Sequence, residues 1–329
     1  MNRKQRVYAT LGHHKSPETP VGFWLHFPKE MQVGAAAVKA HLDFVRQTDT
    51  DILKIMNENV FYDGVSRIYS TADIGKFRGF GRKDDIFRNQ IDLIRAIADQ
   101  AQGDYPIITT IHGLVVSAFH ETGFSGSYSS MGYGLVLFCR EKPEEMKHVF
   151  ETIAHSLMEL VDCSLEAGAD GIFYAALGGE RNFFTDEEYD TFVRPYEKMV
   201  YDHIKARTPL NVLHICKSDI DMKRFVDLKP AIVNWSIFQN GVSLSEGARL
   251  FPESTVLGGF QDRSGVLVEG SEAEIRRFTA AVLDEMSDEP LIVGSDCTLP
   301  TGIDLGRIRL VVDTVRELEG KRRAGAANA

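Results

Sequence analysis

The sequence predicts an α/β protein, a single-domain (β/α)8 barrel of the TIM type. Two observations carry this expectation. Short apolar runs rich in β-branched residues recur eight times along the 329 residues, and most are nearly continuous in apolar residues, as parallel strands covered on both faces are. Segments of helical periodicity separate them, which is the rhythm of a barrel. A third observation counts against the alternative, a doubly wound open sheet. Such a sheet usually carries a Gly-rich phosphate turn after its first strand, and the first run here ends in LHFPKE.

Strands are expected in TPVGFWLHF (19–27), DILKIMNE (51–58), PIITTIHG (106–113), DGIFYAA (170–176), NVLHIC (211–216), AIVNWSI (231–237), TVLGGF (255–260) and LIVGSDC (291–297). Residues 85–102 place Ile and Leu at helical spacings of three and four. Residues 143–168 open on Pro143 and two glutamates and stop at Gly168, a helix with good start and stop signals. Thr185 with Glu188, and Ser271 with Glu274, form capping boxes for helices over 186–207 and 272–286. A last helix covers 304–319. The domain is expected to span 1–320, with residues 1–18 as an N-terminal helical extension and 321–329 as a frayed tail. Residues 120–142, rich in Gly, Ser and Tyr, are expected to form a long loop or lid after the third strand.

Composition narrows the function classes. Apolar residues make up 43 % and charged residues 26 %, ordinary for a globular chain. The net charge of -10, without a long basic run, excludes nucleic acid as an expected partner. No run approaches the roughly 18 apolar residues of a membrane span, and MNRKQRVYATLGHHKS lacks an apolar signal core, so a cytoplasmic protein is expected. Cys139, Cys163, Cys216 and Cys297 are too widely spaced for a disulfide framework. Cys139 and Cys163 lie in apolar contexts and are expected as small core residues.

Barrel chemistry collects where strands end. The ends carry His26; Asn57 and Glu58; His112; Tyr174; His214 and Cys216; Trp235 and Gln239; Asp262 and Arg263; and Asp296 and Cys297. Histidines, thiols and carboxylates on one rim favour a soft-to-borderline metal, and zinc fits best. His214 and Cys216 are separated by one residue, so in a strand both side chains share a face. Cys297, three strands further round, would add a third ligand across the mouth and leave one position open, the mark of a catalytic zinc site. The competing expectation is two inert core thiols and a histidine bonded to backbone. Glu58, His112 and Tyr174 are the candidates for catalytic contact with substrate, while His26, Asn57, Gln239 and Asp262 are candidates for lining a cofactor-binding mouth. Asp262 and Arg263 are expected to pair with each other. His13, His14 and His120 do not suggest ligands.

Beyond these residues the chain resembles the uroporphyrinogen decarboxylase superfamily over most of its length, through NRKQRVYATLGHHKSPETPVGFW, LEAGADGIFYA, VLGGFQDRSGVLVEGSEAEI and LIVGSDCTLP. It departs from true uroporphyrinogen decarboxylases. LHFPKE stands where they carry an arginine-rich motif, Asn57 and Glu58 where they carry an essential aspartate, and Cys297 where they carry a histidine. It is more similar to the cobalamin-dependent methyltransferase branch, including methylcobamide:coenzyme M methyltransferases, which binds zinc through a His-x-Cys pair and a later Cys. The resemblance implies His214, Cys216 and Cys297 as zinc ligands. Phe238-Gln239-Asn240 stands where members often place an acidic residue after strand six, so Glu58, Asp296, water or substrate is left as the fourth ligand.

That resemblance implies a methyl transfer between a corrinoid and a small thiol, or a methoxy or methylamine substrate. Zinc would hold a thiol as its thiolate or act as a Lewis acid on the leaving atom. The chain has no Asp-x-His-x-x-Gly motif of the kind that carries corrinoids, so the corrinoid is expected on a separate partner protein. A metal-free decarboxylase and a non-catalytic corrinoid-binding protein are the competing expectations.

Overall fold

The computed structural model describes residues 1–59, 68–121 and 127–327. Seven parallel strands, each hydrogen-bonded to its neighbour in sequence, form one sheet in the order β1 to β7. They are β1 (Leu53–Ile55), β2 (Ile107–His112), β3 (Gly171–Ala176), β4 (Asn211–Ile215), β5 (Ile232–Trp235), β6 (Thr255–Phe260) and β7 (Leu291–Ser295). Each lies within a run expected to be a strand. The sheet is an open half-barrel with helices packed around it.

The eighth expected strand, 19–27, is not a regular strand. Val21 and Leu25 make isolated parallel bridges to Val293 and Leu299. The Gly22 N–H donates to the Val293 carbonyl at 2.9 Å, and the Asp51 N–H donates to the Val21 carbonyl at 2.7 Å. Pro20, which has no N–H to give, and Gly22, which has no side chain to pack, explain why a ladder does not propagate here.

Strand alternation sorts the core into two layers. Trp24, Ile52, Met56, Ile108, Phe173, Val212, Ile232, Leu257 and Ile292 cluster on the inside with Val7 of the N-terminal helix Arg3–Tyr8. Leu53, Ile55, Ile111, Tyr174, Leu213, Val233 and Trp235, on the opposite faces of the same strands, pack against the helices. Period two therefore continues the inner columns upward: Ile52 to Lys54, Ile108 to His112, Val212 to His214 and Cys216, and Ile232 to Asn234.

The helices follow the expected signals. Asp85–Ala101 and Pro143–Glu166 are long helices, and both capping boxes form, Thr185 with Glu188 and Ser271 with Glu274. The expected helix over 186–207 is interrupted by a π-helical turn, Tyr189–Val193, before Arg194–Arg207. The expected loop over 120–142 differs from what is observed. Tyr128–Glu141 is a helix, capped by the Ser127 side chain, which accepts the Ser130 N–H. Leu135, Val136, Phe138 and Cys139 form its buried face, and Gly132 admits the Phe183 ring as a close neighbour. Residues 122–126 of that expected lid lie outside the described residues. The tail expected to fray from 321 continues the helix Leu305–Ala327, with Lys321 bonded to Glu317 at 2.7 Å and Arg323 to Glu18 at 3.2 Å. Cys139 and Cys163 are buried free thiols. Among the described residues no helix is long and apolar enough to cross a membrane.

Candidate metal centre

β4 delivers His214 to the inner face, and the chain turns sharply just beyond Cys216. Lys217 adopts the left-handed φ of +86°, unusual for a side-chain-bearing residue, and its carbonyl accepts the Asn240 amide at 2.9 Å. That turn stops the strand with Cys216 still at the rim. β7 ends at Ser295, and Cys297 returns toward β4. One ligand atom from each of His214, Cys216 and Cys297 lies within 4.8 Å of the others. Cys297 Sγ stands 3.5 Å from His214 Nε2. Zinc–nitrogen and zinc–sulfur bonds of ordinary length, meeting at a tetrahedral angle, put N and S about 3.6 Å apart. His214 is buried and both thiols are partly exposed, so the group is closed from below and open toward solvent.

Asn234 sets the histidine tautomer. Its side-chain nitrogen donates to the carbonyls of Leu257 at 2.8 Å and Ser295 at 3.1 Å, so its oxygen faces His214 Nδ1 at 2.5 Å. Nδ1 therefore carries the hydrogen, and Nε2 presents its lone pair to the sulfurs. A hydrogen bond from Cys216 lowers the Cys297 thiol well below the usual range, and the same bond, with burial, raises Cys216 well above it. A nitrogen lone pair and two thiols are a fit donor set for a borderline divalent ion.

The other expected residues divide. His26 Nδ1 and Glu58 Oε1 meet at 2.8 Å on the rim, and Asn57 turns its oxygen to the N–H of Asn59 at 3.0 Å. His112 stacks edge-on against His120, 5.4 Å between ring centres, and burial holds it neutral with a pKa pushed down to about 3. Asp262 pairs with Arg263 at 3.2 Å, and burial, then the Cys297 charge, pushes its carboxyl up. Asp296 accepts from Ser236 at 3.2 Å and from the Phe238 N–H at 3.1 Å, and burial first of all pushes its pKa up to about 7. Neither Glu58 nor Asp296 joins the three-residue cluster.

Two groups are not brought to the centre. The Tyr174 hydroxyl lies on the helix side of the sheet, donating to Glu197 at 3.2 Å and accepting the Leu114 N–H at 2.9 Å. Gln239 is exposed in the short helix Ile237–Asn240. Sequence reasoning missed Asn234 and Lys54. Each is a lone polar residue inside an apolar strand run, and that was the available signal.

The family model described as uroporphyrinogen decarboxylase matches residues 66–318. No curated protein matches the chain. Among solved structures, a methyltransferase from Methanosarcina mazei is similar at 14% identity with a TM-score of 0.77, covering 97% of this chain and 99% of that one. A B12-independent methionine synthase from Shewanella sp. W3-18-1, in complex with selenomethionine, is similar at 14% identity and a TM-score of 0.60, covering 95% and 99%. A putative vitamin-B12 independent methionine synthase from Listeria monocytogenes is similar at 12% identity and a TM-score of 0.57, covering 91% and 96%. At such identities these likenesses concern the fold.

Proposed function

The chain belongs to the uroporphyrinogen decarboxylase family, and from that membership and its His-Cys-Cys centre we propose that it is a zinc-dependent methyltransferase. The methyl group passes between a corrinoid on a partner protein and a small thiol, methoxy or methylamine substrate. The observation that carries the reading is the convergence of His214, Cys216 and Cys297 within 4.8 Å at a solvent-facing rim. We also read the segment 20–25, bonded to both Val293 and Asp51, as the closing member of a (β/α)8 barrel whose mouth is this rim.

Zinc held by these three residues would keep a sulfur substrate ionised near neutral pH, or polarise a leaving heteroatom. Cys216 and Cys297 as thiolates, and His214 through Nε2, fixed by Asn234, would hold the ion. The neutral His112 orients the incoming substrate, and the His26–Glu58 pair relays its proton to solvent.

A second reading is favoured by the two similar structures described as B12-independent methionine synthases. It keeps the sulfur acceptor and takes the methyl from a donor other than a corrinoid. Metal analysis of purified protein tests the shared part. Wild type is expected to hold stoichiometric zinc, and Cys297→Ala to lose it while keeping its circular dichroism spectrum. Unchanged zinc in that variant sinks the assignment. Demethylation of methylcobalamin by a panel of thiols then separates the two readings.

A further inference from the structure

Beneath the three ligands the inside of the sheet holds a buried cation. Lys54 occupies the middle of β1, between Ile52 and Met56 of the inner cluster, and is 6 % exposed. Its Nζ lies 4.2 Å from the centre of the Phe173 ring, 5.1 Å from that of Trp24 and 3.1 Å from Met56 Sδ. Among the described residues no carboxylate comes within ion-pair distance of it; Asp51 and Glu58, the acids nearest in sequence, pair with Arg6 and His26. The same Phe173 ring stacks on His214, 5.3 Å between centres and 27° between planes.

A buried ammonium without an anion is costly to keep charged. Two ring faces offset part of that cost. Burial lowers the pKa of this amine to about 7. Its charge adds to burial in keeping His41 and His112 neutral. Through the shared Phe173 ring, Lys54 lies one aromatic layer from the His214 imidazole.

A divalent ion with one imidazole and two thiolates is formally neutral. A third anionic sulfur makes the group negative, whereas an ether or an amine leaves it neutral. We propose that Lys54 is the counter-charge that makes this centre select an anionic sulfur, so that the substrate is a thiol rather than a methoxy or methylamine compound. This rests on the metal-centre reading above. Lys54 acts through the field at the open position, as a positioning residue, without touching the substrate.

The test uses the full chain loaded with Co(II), whose visible absorption reports each ligand that enters the open position. Mercaptoethanol is the anionic probe and imidazole the neutral one, titrated into wild type, Lys54→Met and Lys54→Gln. Methionine matches lysine in length within the aromatic cage, and glutamine keeps a polar head should methionine not fold. The expected result is unchanged cobalt content, unchanged imidazole affinity and a loss of about tenfold or more in mercaptoethanol affinity, the size of one unit charge acting through a partly screened interior. Equal losses for both probes would mean a packing role and overturn the inference. So would an unchanged thiol affinity. If wild type takes up no cobalt, the metal-centre reading itself fails and takes this inference with it.

Discussion

The side-chain oxygen of Asn234 accepts the Nδ1–H of His214 at 2.5 Å. Its amide nitrogen simultaneously ties β5 to the Leu257 and Ser295 carbonyls. Asn234→Leu keeps the volume and removes all three bonds. Metal affinity is expected to fall roughly 10–100-fold, the usual consequence of losing the partner that orients a ligating histidine. Competition with a chromophoric chelator measures it. An affinity within twofold of wild type would show that packing on Phe173 suffices to hold the ring.

Glu58 separates a ligand role from a rim role. It bonds His26 at 2.8 Å but does not reach the three-residue cluster. Glu58→Gln is therefore expected to keep full metal content and to lower kcat/KM for methyl transfer by about 10²-fold or more, the range of a lost acid–base group. Loss of metal in this variant would instead make Glu58 the fourth ligand.

These residues also show what the sequence disclosed. The convergence of His214, Cys216 and Cys297 was legible because His-x-Cys at one strand end fixes two side chains on one face, and the run LIVGSDC put a third at another strand end. Seven strands were legible as continuous apolar runs. The regular eighth was overestimated, since apolar content said nothing about Pro20 and Gly22 breaking the ladder. Tyr174 illustrates the limit of counting strand ends. It neighbours the rim, yet alternation turns it to Glu197 on the outside, one residue from the inward Phe173. Lys54 lay hidden in DILKIMNE because its stabilising partners, Trp24 and Phe173, come from other segments.

The helix Tyr128–Glu141 leans on Phe183 through Gly132, where an added Cβ would come within 2.4 Å of the ring. Tyr128, in the same helix, lies under Lys217, the residue after Cys216, 4.5 Å from Nζ to its ring centre. Gly132→Ala is expected to cost about 1–3 kcal/mol through overpacking. Urea unfolding should show a lower midpoint with an unchanged slope. A midpoint equal to wild type would mean that the helix shifts freely away from Phe183.

Glu197 links the fold to pH. It is buried, and burial pushes its pKa up to about 7, against the hydrogen bonds from Tyr189 at 3.1 Å and Tyr174 at 3.2 Å that favour its charged form. Its ordinary value of 4.5 governs the unfolded chain. A raised folded pKa means that the contribution of this group is fully present below about pH 4.5 and is lost as pH rises through about 7. Glu197→Gln keeps an acceptor for one tyrosine, turns an N–H donor to the other hydroxyl, and cannot ionise. Relative to wild type, its unfolding free energy should improve by up to ~3 kcal/mol between pH 4.5 and pH 8, at 1.36 kcal/mol per pKa unit. Urea titrations across that range yield the difference directly. A flat difference curve would mean that Glu197 ionises equally well in the folded and unfolded chain.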